Sequence, residues 1–461
     1  MILQEKEIII PKKENNKNLL QYISKKTIEE LDSNEVPNRF VISITDDNSY
    51  FCELGTLINN NEYLITQNKS IFSFKKREFE NTEQFNAVLL IPTGIGTEIG
   101  GHCGDANVVA RLIASACDNL ITHPNVVNAS DINEMTENTL YVEGSIITRL
   151  MMGQIGLQKV RANRMLMLMD KHDDNLFNNE IVNAVSNARI SLGVDCDVYE
   201  MDNIIKSVSE YSSSGRAAGK VEHLERLFEI ITGFKDKYDA IGLSTFIEVP
   251  KGYHTTYFRD IDMVNPWGGI EAMLTHSIAE EFKITCSHSP MMVSRKIMDM
   301  EVGIVDPRKA PETSSVTYLH CILKGLHKSP KIVSYDKGLN AEDISCLIVP
   351  DGCVGLPTLA ALEHGIPVIA VKENKNYMKN SLEELPFHKS KLFVVENYLE
   401  AVGIMQAIKS GIEPETIHRP LRHTTILKQK ETARAILNEK TDATKKGVYI
   451  AKKQENESCH T

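Results

Sequence analysis

Paired cysteines, tryptophan and excess positive charge are all scarce in this chain, and each scarcity closes off a class of function. The nine cysteines include no CxxC spacing, and an odd number cannot all pair. Neither a disulfide framework nor a zinc ribbon is expected, and the thiols should be reduced. No stretch of ~18 apolar residues is there to span a bilayer. The start, MILQEKEIIIPKK, lacks the continuous apolar core of a secretory signal, so no membrane partner is expected and the location is read as cytoplasmic. Lysine and arginine number 51 against 62 aspartates and glutamates, a net charge of -11. That balance argues against a nucleic-acid partner, because phosphate backbones are bound mainly by clustered cations. HExxH is missing too, so a divalent metal is a candidate cofactor with no ligand set assigned.

What is present is the material of an ordinary globular α/β protein. At 461 residues the chain exceeds the ~250–300 residues that one core serves, so more than one domain is expected. Residues 1–82 read as a small α+β module. Leu20, Ile23 and Leu31 lie in a helical stretch, followed by the strand-like runs FVISI (40–44), FCELGTLI (51–58) and YLIT (63–66). From residue 83 to 430 short buried apolar runs alternate with amphipathic helices, the mark of mainly parallel, Rossmann-like sheets with flanking helices. Ten runs qualify as strands, from AVLLI (87–91) and NLIT (119–122) to PVIAV (367–371) and KLFVV (391–395). Two lobes dividing near 238 would account for so many. Residues 431–461 read as a polar tail.

The segment from Thr93 to Asp105 runs strand, glycine turn, helix, with Gly94, Gly96, Gly100, Gly101 and Gly104. Glycines admit close backbone approach and a helix start offers unpaired N–H groups, so Thr93 and these glycines are candidate anion ligands. A dinucleotide fingerprint would want an acid at the end of the next strand, where Thr122 and His123 stand; NAD or flavin is therefore not expected. Gly215 to Lys220 falls one residue short of a phosphate loop and has Val221 where magnesium needs a hydroxyl, which disfavours triphosphate hydrolysis.

A second polar cradle comprises Ser213, Ser214, Gly215, Arg216 and Lys220, in which the Arg216 fork suits a carboxylate or phosphate. Loops after parallel strands share one rim, so His102 and Asp105 are expected near His123, Asn125 and Asn128, with His288 after a later strand. His102, Asp105, His123 and His288 are candidate proton-handling groups, and Asn125 and Asn128 candidate ligand contacts. The quieter alternative makes Asp105 a helix cap and the asparagines loop braces. Cys103 and Cys353 are expected to be packing thiols rather than nucleophiles. Trp267 is expected to plug a core, and the Met- and Leu-bearing stretch 146–152 is a candidate surface for a homo-oligomer.

PTGIGTEIGGHCGDA (92–106), ITHPNVVNASDINE (121–134), YVEGSIITRL (141–150), FIEVPKGYH (246–254) and NPWGGIEA (265–272) resemble the family catalogued as domain of unknown function 3326. The resemblance runs from about 87 to about 380. It implies a fold-length domain and no reaction. Separately, CLIVPDGCVGLPTLAALEHGIPVIAV near the end is similar to the donor-side segment of sugar transferases and epimerases.

The reading that follows is a metabolic enzyme acting on a small anionic metabolite by non-redox, histidine-assisted acid–base chemistry, as a lyase, isomerase, hydrolase or transferase. A ligand-binding or regulatory protein and a nucleotide-sugar transferase or epimerase are the alternatives.

Overall fold

The computed structural model describes residues 1–13, 18–59, 70–102 and 104–426. The chain opens with β1 (Ile2–Pro11), α1 (Leu19–Glu29), β2 (Glu35–Thr45) and β3 (Ser49–Ile58). Then come β4 (Asn86–Leu89), α2 (Asn107–Ala114), β5 (Asn119–Thr122), α3 (Pro124–Val127), β6 (Thr139–Tyr141), α4 (Gly144–Met151) and β7 (Ile155–Gln158). β8 (Arg164–Asp170), α5 (Asn175–Leu192) and β9 (Asp195–Met201) precede the hairpin of β10 (Lys206–Tyr211) and β11 (Ala217–Glu222). α6 (Leu224–Phe234), β12 (Ala240–Thr245), α7 (Tyr253–Arg259), α8 (Gly268–Phe282), β13 (Thr285–Pro290) and α9 (Arg295–Met298) follow. The remainder is α10 (His320–His327), β14 (Lys331–Ser334), β15 (Ile344–Pro350), β16 (Val354–Gly355), α11 (Leu356–His364), β17 (Val368–Val371), β18 (Leu392–Val395) and α12 (Tyr398–Lys409).

These elements form a mixed α/β architecture. A six-stranded parallel sheet has the order β18-β17-β15-β4-β5-β6, and a four-stranded parallel sheet the order β13-β12-β8-β9. A third, antiparallel sheet runs β10-β11-β1-β3-β2-β16. The apolar runs are continuous because both faces of the six-stranded sheet are covered. Val88, Leu347, Val349, Val368 and Ala370 point into one core, while Ala87, Leu89, Cys346, Ile348, Ile369 and Val371 alternate into another.

Neither expected boundary separates one sheet from another. β1 pairs along its length with β3 and also with β11, so the N-terminal strands share a sheet with residues 206–222. Likewise β8 and β12 pair across residue 238. The chain divides into Met1–Gly411 and Ile412–Thr461, and the described residues of the latter include a helical turn at Pro414–Thr416. The run YLIT and the expected tail lie outside the described residues.

Three local readings change. KIVSY (331–335) pairs antiparallel with β7 rather than joining a parallel sheet. The amphipathic run Val221, Leu224, Leu227, Phe228 and Ile231 reads as a helix from 221, but the helix starts at Leu224, because Ala217–Glu222 is a strand. Ile146, Ile147, Leu150, Met151 and Met152 are buried in the protein's own core, so they offer no surface to a second copy. No described helix is long and apolar enough to cross a membrane.

Candidate active site

A cavity of about 450 Å³ opens where the loops following parallel strands meet the start of α8. Thr93, His102 and Gly104 reach it from the loop after β4, His123, Asn125 and Asn128 from that after β5, and Ser287, His288 and Ser289 from β13. α8 adds Gly268, Glu271, Ala272, Thr275 and His276. Those positions recur at three- and four-residue intervals, one face of a helix whose other face buries Ile270, Met273, Leu274 and Ile278. α8 can come this close because a Cβ on Gly269 would stand only 2.4 Å from the Ala217 carbonyl oxygen. Five histidines (102, 123, 254, 276 and 288) and three carboxylates (Glu143, Glu271, Glu312) line the wall, which among the described residues contains no lysine or arginine.

Two of the histidines have their tautomers set by named partners. His276 Nε2 lies 3.1 Å from Glu143 Oε1, which also accepts from the Thr275 hydroxyl at 3.2 Å. The other Glu143 oxygen caps α4, accepting from the Ser145 hydroxyl and from the backbone N–H groups of Ser145 at 2.9 Å and Ile146 at 3.3 Å. Burial pushes the Glu143 carboxyl up to about 7, opposed by these hydrogen bonds and by Arg149. With Nε2–H donated to Glu143, the His276 Nδ1 carries a lone pair, and that atom has no hydrogen-bond partner. In His123 the order is reversed. Its Nε2 accepts from the Ile91 N–H at 3.2 Å, which leaves the proton on Nδ1. Burial holds both rings neutral, down to about 3, with Arg39 adding to the effect on His276 and His276 to that on His123.

The other two pairs are looser or indirect. His288 Nε2 is 2.9 Å from the Thr245 hydroxyl, while its Nδ1 is 4.0 Å from Glu271, beyond hydrogen-bonding reach. Burial and the nearby Glu312 charge raise Glu271 to about 8. His102 Nδ1 lies 3.1 Å from the Tyr257 hydroxyl, which donates to Glu312 at 2.8 Å. Burial, together with Lys309 and Arg308, lowers His102 to about 4.

The structure brings His102, His123, His288, Thr93, Gly104, Asn125 and Asn128 to one wall and leaves the other expected residues off it. Asp105 accepts from the His102 N–H at 3.5 Å and is raised to about 6 by burial, bracing its own loop. Gly94, Gly96, Gly100 and Gly101 serve close chain packing: a Cβ on Gly101 would fall 1.9 Å from the Thr97 carbonyl oxygen. Asn125 braces the same loop, donating to the Ile91 and Gly100 carbonyls at 2.9 and 2.8 Å.

The stretch from Ser213 to Lys220 is not an open cradle: it is the turn and second strand of the β10–β11 hairpin, and the chain's own carboxylates take its serines and two of the three Arg216 nitrogens. Arg216 is fully buried and ion-paired to Glu5 and Glu53. Ser214 and Ser212 donate to Glu53, and the Ser213 N–H donates to Glu7. Gly215 makes the turn at φ 86°, and Lys220 pairs with Glu222 at 2.6 Å on the surface. Trp267 is half-buried: it packs against a core cluster, as expected, and also walls the cavity beside His254 and Tyr257. Cys353 is buried, which pushes its thiol well up, and Cys103 lies outside the described residues. No group of three or more histidine, cysteine or acidic side chains converges to hold a metal among the described residues.

Glu143, Glu271, His276 and Glu312 were missed by reasoning from strand ends alone. The available signal was a polar stripe, Glu271, Thr275 and His276, in an otherwise apolar helix, and an acid immediately before a Gly-Ser helix start.

Fold and site together define a mixed α/β protein with a histidine- and carboxylate-walled cavity at the carboxyl ends of its parallel strands. The chain belongs to the family described as Protein of unknown function (DUF3326), whose model matches residues 86–418. It is 31% identical over 340 residues to an uncharacterized lipoprotein, syc1174_c, of Synechococcus sp. (strain ATCC 27144 / PCC 6301 / SAUG 1402/1), covering 72% of this chain and 92% of that protein. No solved structure matches the chain.

Proposed function

We propose that the protein is an enzyme that moves a proton on a small anionic metabolite, by non-redox chemistry shared between His276 and His123. The observation that carries this reading is the contrasting partners of two buried imidazoles that line one cavity, a carboxylate on His276 Nε2 and a backbone N–H on His123 Nε2, which call for opposite tautomers when Glu143 is ionised. Glu143 aligns His276 as an acceptor, and the Ile91 N–H aligns His123 as a donor. A base needs a lone pair at neutral pH, and burial keeps that of His276 free of protons. A neutral imidazole N–H can in turn support charge developing on a substrate oxygen. Lyases, isomerases, hydrolases and transferases all use such a step.

The placement is consistent with a Rossmann-like reading of the six-stranded sheet. β4-β5-β6 wind outward one way and β15-β17-β18 the other, and ligands of such sheets sit at the carboxyl-end crevice where the order reverses.

The test is incubation of the protein in deuterium oxide with a panel of small carboxylates and phosphate esters, followed by proton NMR. Loss of one substrate C–H signal or appearance of product, abolished in His276→Gln, is the expected result. Binding without exchange or turnover across the panel would sink the enzymatic reading and leave a ligand-binding protein.

A further inference from the structure

A second cavity of about 140 Å³ adjoins the first, and Thr93, His123, Gly144, Ala272 and His276 line both. It lies between the loop after β4 and the segment from β15 to α11, at the point where the six-stranded sheet reverses its winding. Unlike the larger cavity, it has two guanidinium groups in its wall, Arg39 and Arg216.

We propose that this smaller cavity is the subsite for the anionic end of the substrate, a carboxylate or phosphate carried on a short apolar arm and held by Arg39 and Arg216 at the start of α11. The assignment deepens the acid–base reading, which places the reacting atoms at His123 and His276, where the two cavities join.

Three observations converge on it. Arg216 gives Nε to Glu53 and Nη2 to Glu5, yet its fully buried Nη1 has no hydrogen-bond partner. A buried charged donor left unpaired is costly, so a ligand acceptor is favoured there. Arg39 is poorly partnered: Nη1 is 3.4 Å from Glu5 and Nη2 3.2 Å from the Thr93 carbonyl, both long for charged hydrogen bonds. Burial and repulsion from Arg216 hold Arg39 down to about 10, the condition an added anion would relieve. Finally α11 begins with Gly355 at its cap and no side chain bonded to its first turn, so its N-terminal N–H groups add partial positive charge.

The four charges of Arg39, Arg216, Glu5 and Glu53 cancel formally, so a bare ion gains little here. Much of the remaining wall is apolar, with Phe40, Ile95, Leu356 and Met378, which favours an anion on a short hydrocarbon arm. Arg39, Glu5 and Glu53 all precede residue 86, where the family match begins. The N-terminal strands therefore supply one of the two cations of the subsite, Arg39, and both neighbouring carboxylates, while Arg216 and the proton-transfer groups lie in the family-matched region.

The experiment is calorimetric binding of butyrate, propyl phosphate and butyramide to the full-length protein, to Arg39→Gln, Arg39→Lys and the surface variant Lys409→Gln. One of the two anions is expected to bind at least ~10-fold more tightly than butyramide, and which anion wins identifies the group. Arg39→Gln should weaken that binding by about 10- to 100-fold, with partial recovery in Arg39→Lys. Lys409→Gln, far from both cavities, should bind as the wild type does. Butyramide binding as tightly as the anions, or undiminished binding in Arg39→Gln, would overturn the proposal. Should Arg39→Gln fail to fold, wild-type crystals soaked with 4-bromobutyrate decide: bromine anomalous signal in the smaller cavity supports the subsite, and its absence there overturns it. Intact anion binding without turnover of any substrate would overturn the acid–base reading while leaving the subsite standing.

Discussion

The two adjoining cavities handle buried ionisable groups in opposite ways. Around the smaller one, charge is kept and paired, with Arg216 bracketed by Glu5 and Glu53. Around the larger one charge is suppressed: burial pushes the histidines down and Glu271 up, so these are neutral near pH 7, while Glu143 at about 7 is poised between its two forms. Burial alone does not decide the outcome, since both sets are shielded from water. Pairing geometry does. A guanidinium between two carboxylates regains what desolvation took, whereas His288 and Glu271, 4.0 Å apart, do not make the hydrogen bond that would hold both ionised. Paired charges suit holding a ligand, and neutral groups suit exchanging protons with it.

The contrast can be broken most forcefully at Arg216. Arg216→Met strands Glu5 and Glu53 without their cation, and a loss of about 3–5 kcal/mol is expected in urea unfolding. A loss under ~1 kcal/mol would mean that the pairing contributes little. On the neutral side, His276→Gln should lower turnover of the substrate found in the deuterium screen by roughly 10²- to 10⁴-fold, the range of a general base, with little change in melting temperature. An unchanged rate would exclude His276 as the base.

Glu271→Gln sharpens the comparison through pH. The folded carboxyl titrates at about 8 against an ordinary 4.5, so the native state holds an extra proton between those values. Its contribution is full below the lower value and is lost as pH rises through the upper one. Glutamine cannot lose that proton. The variant's stability relative to wild type should therefore rise by about 4 kcal/mol from pH 5 to pH 9, read as a difference in unfolding free energies. A flat difference would show that Glu271 is ionised like an exposed acid. The smallest effect is expected at Asn125. Asn125→Ala removes the donor to the Ile91 and Gly100 carbonyls and should cost about 1–2 kcal/mol, with faster amide hydrogen exchange in residues 93–102. Unchanged exchange would mean that the glycine loop holds itself.

Much of the fold was legible because parallel strands buried on both faces leave uninterrupted apolar runs: AVLLI, NLIT, CLIVP and PVIAV each mark a strand of the six-stranded sheet. β10 and β11 were not, since KSVSEY and AAGKVE carry serine, glycine and lysine. Their pairing with β1 rather than their own composition makes them strands. The same blindness turned the Arg216 turn into an open cradle, because nothing local announces that Glu5 and Glu53, more than 160 residues away in sequence, will occupy it. At the site, His102, His123 and His288 were found by their position after strands. Glu143 and His276 stayed hidden because one follows the three-residue strand β6 and the other lies two turns into α8.

The central claim is that two neighbouring imidazoles are neutral and oppositely protonated. NMR of the protein labelled with ¹⁵N-histidine, with His123→Gln and His276→Gln to assign the signals, reads both properties at once. The account expects His276 as the Nε2–H form and His123 as the Nδ1–H form, both uncharged well below the ordinary histidine value of 6.5. Titration of either ring near 6.5, or the same tautomer in both, would contradict it.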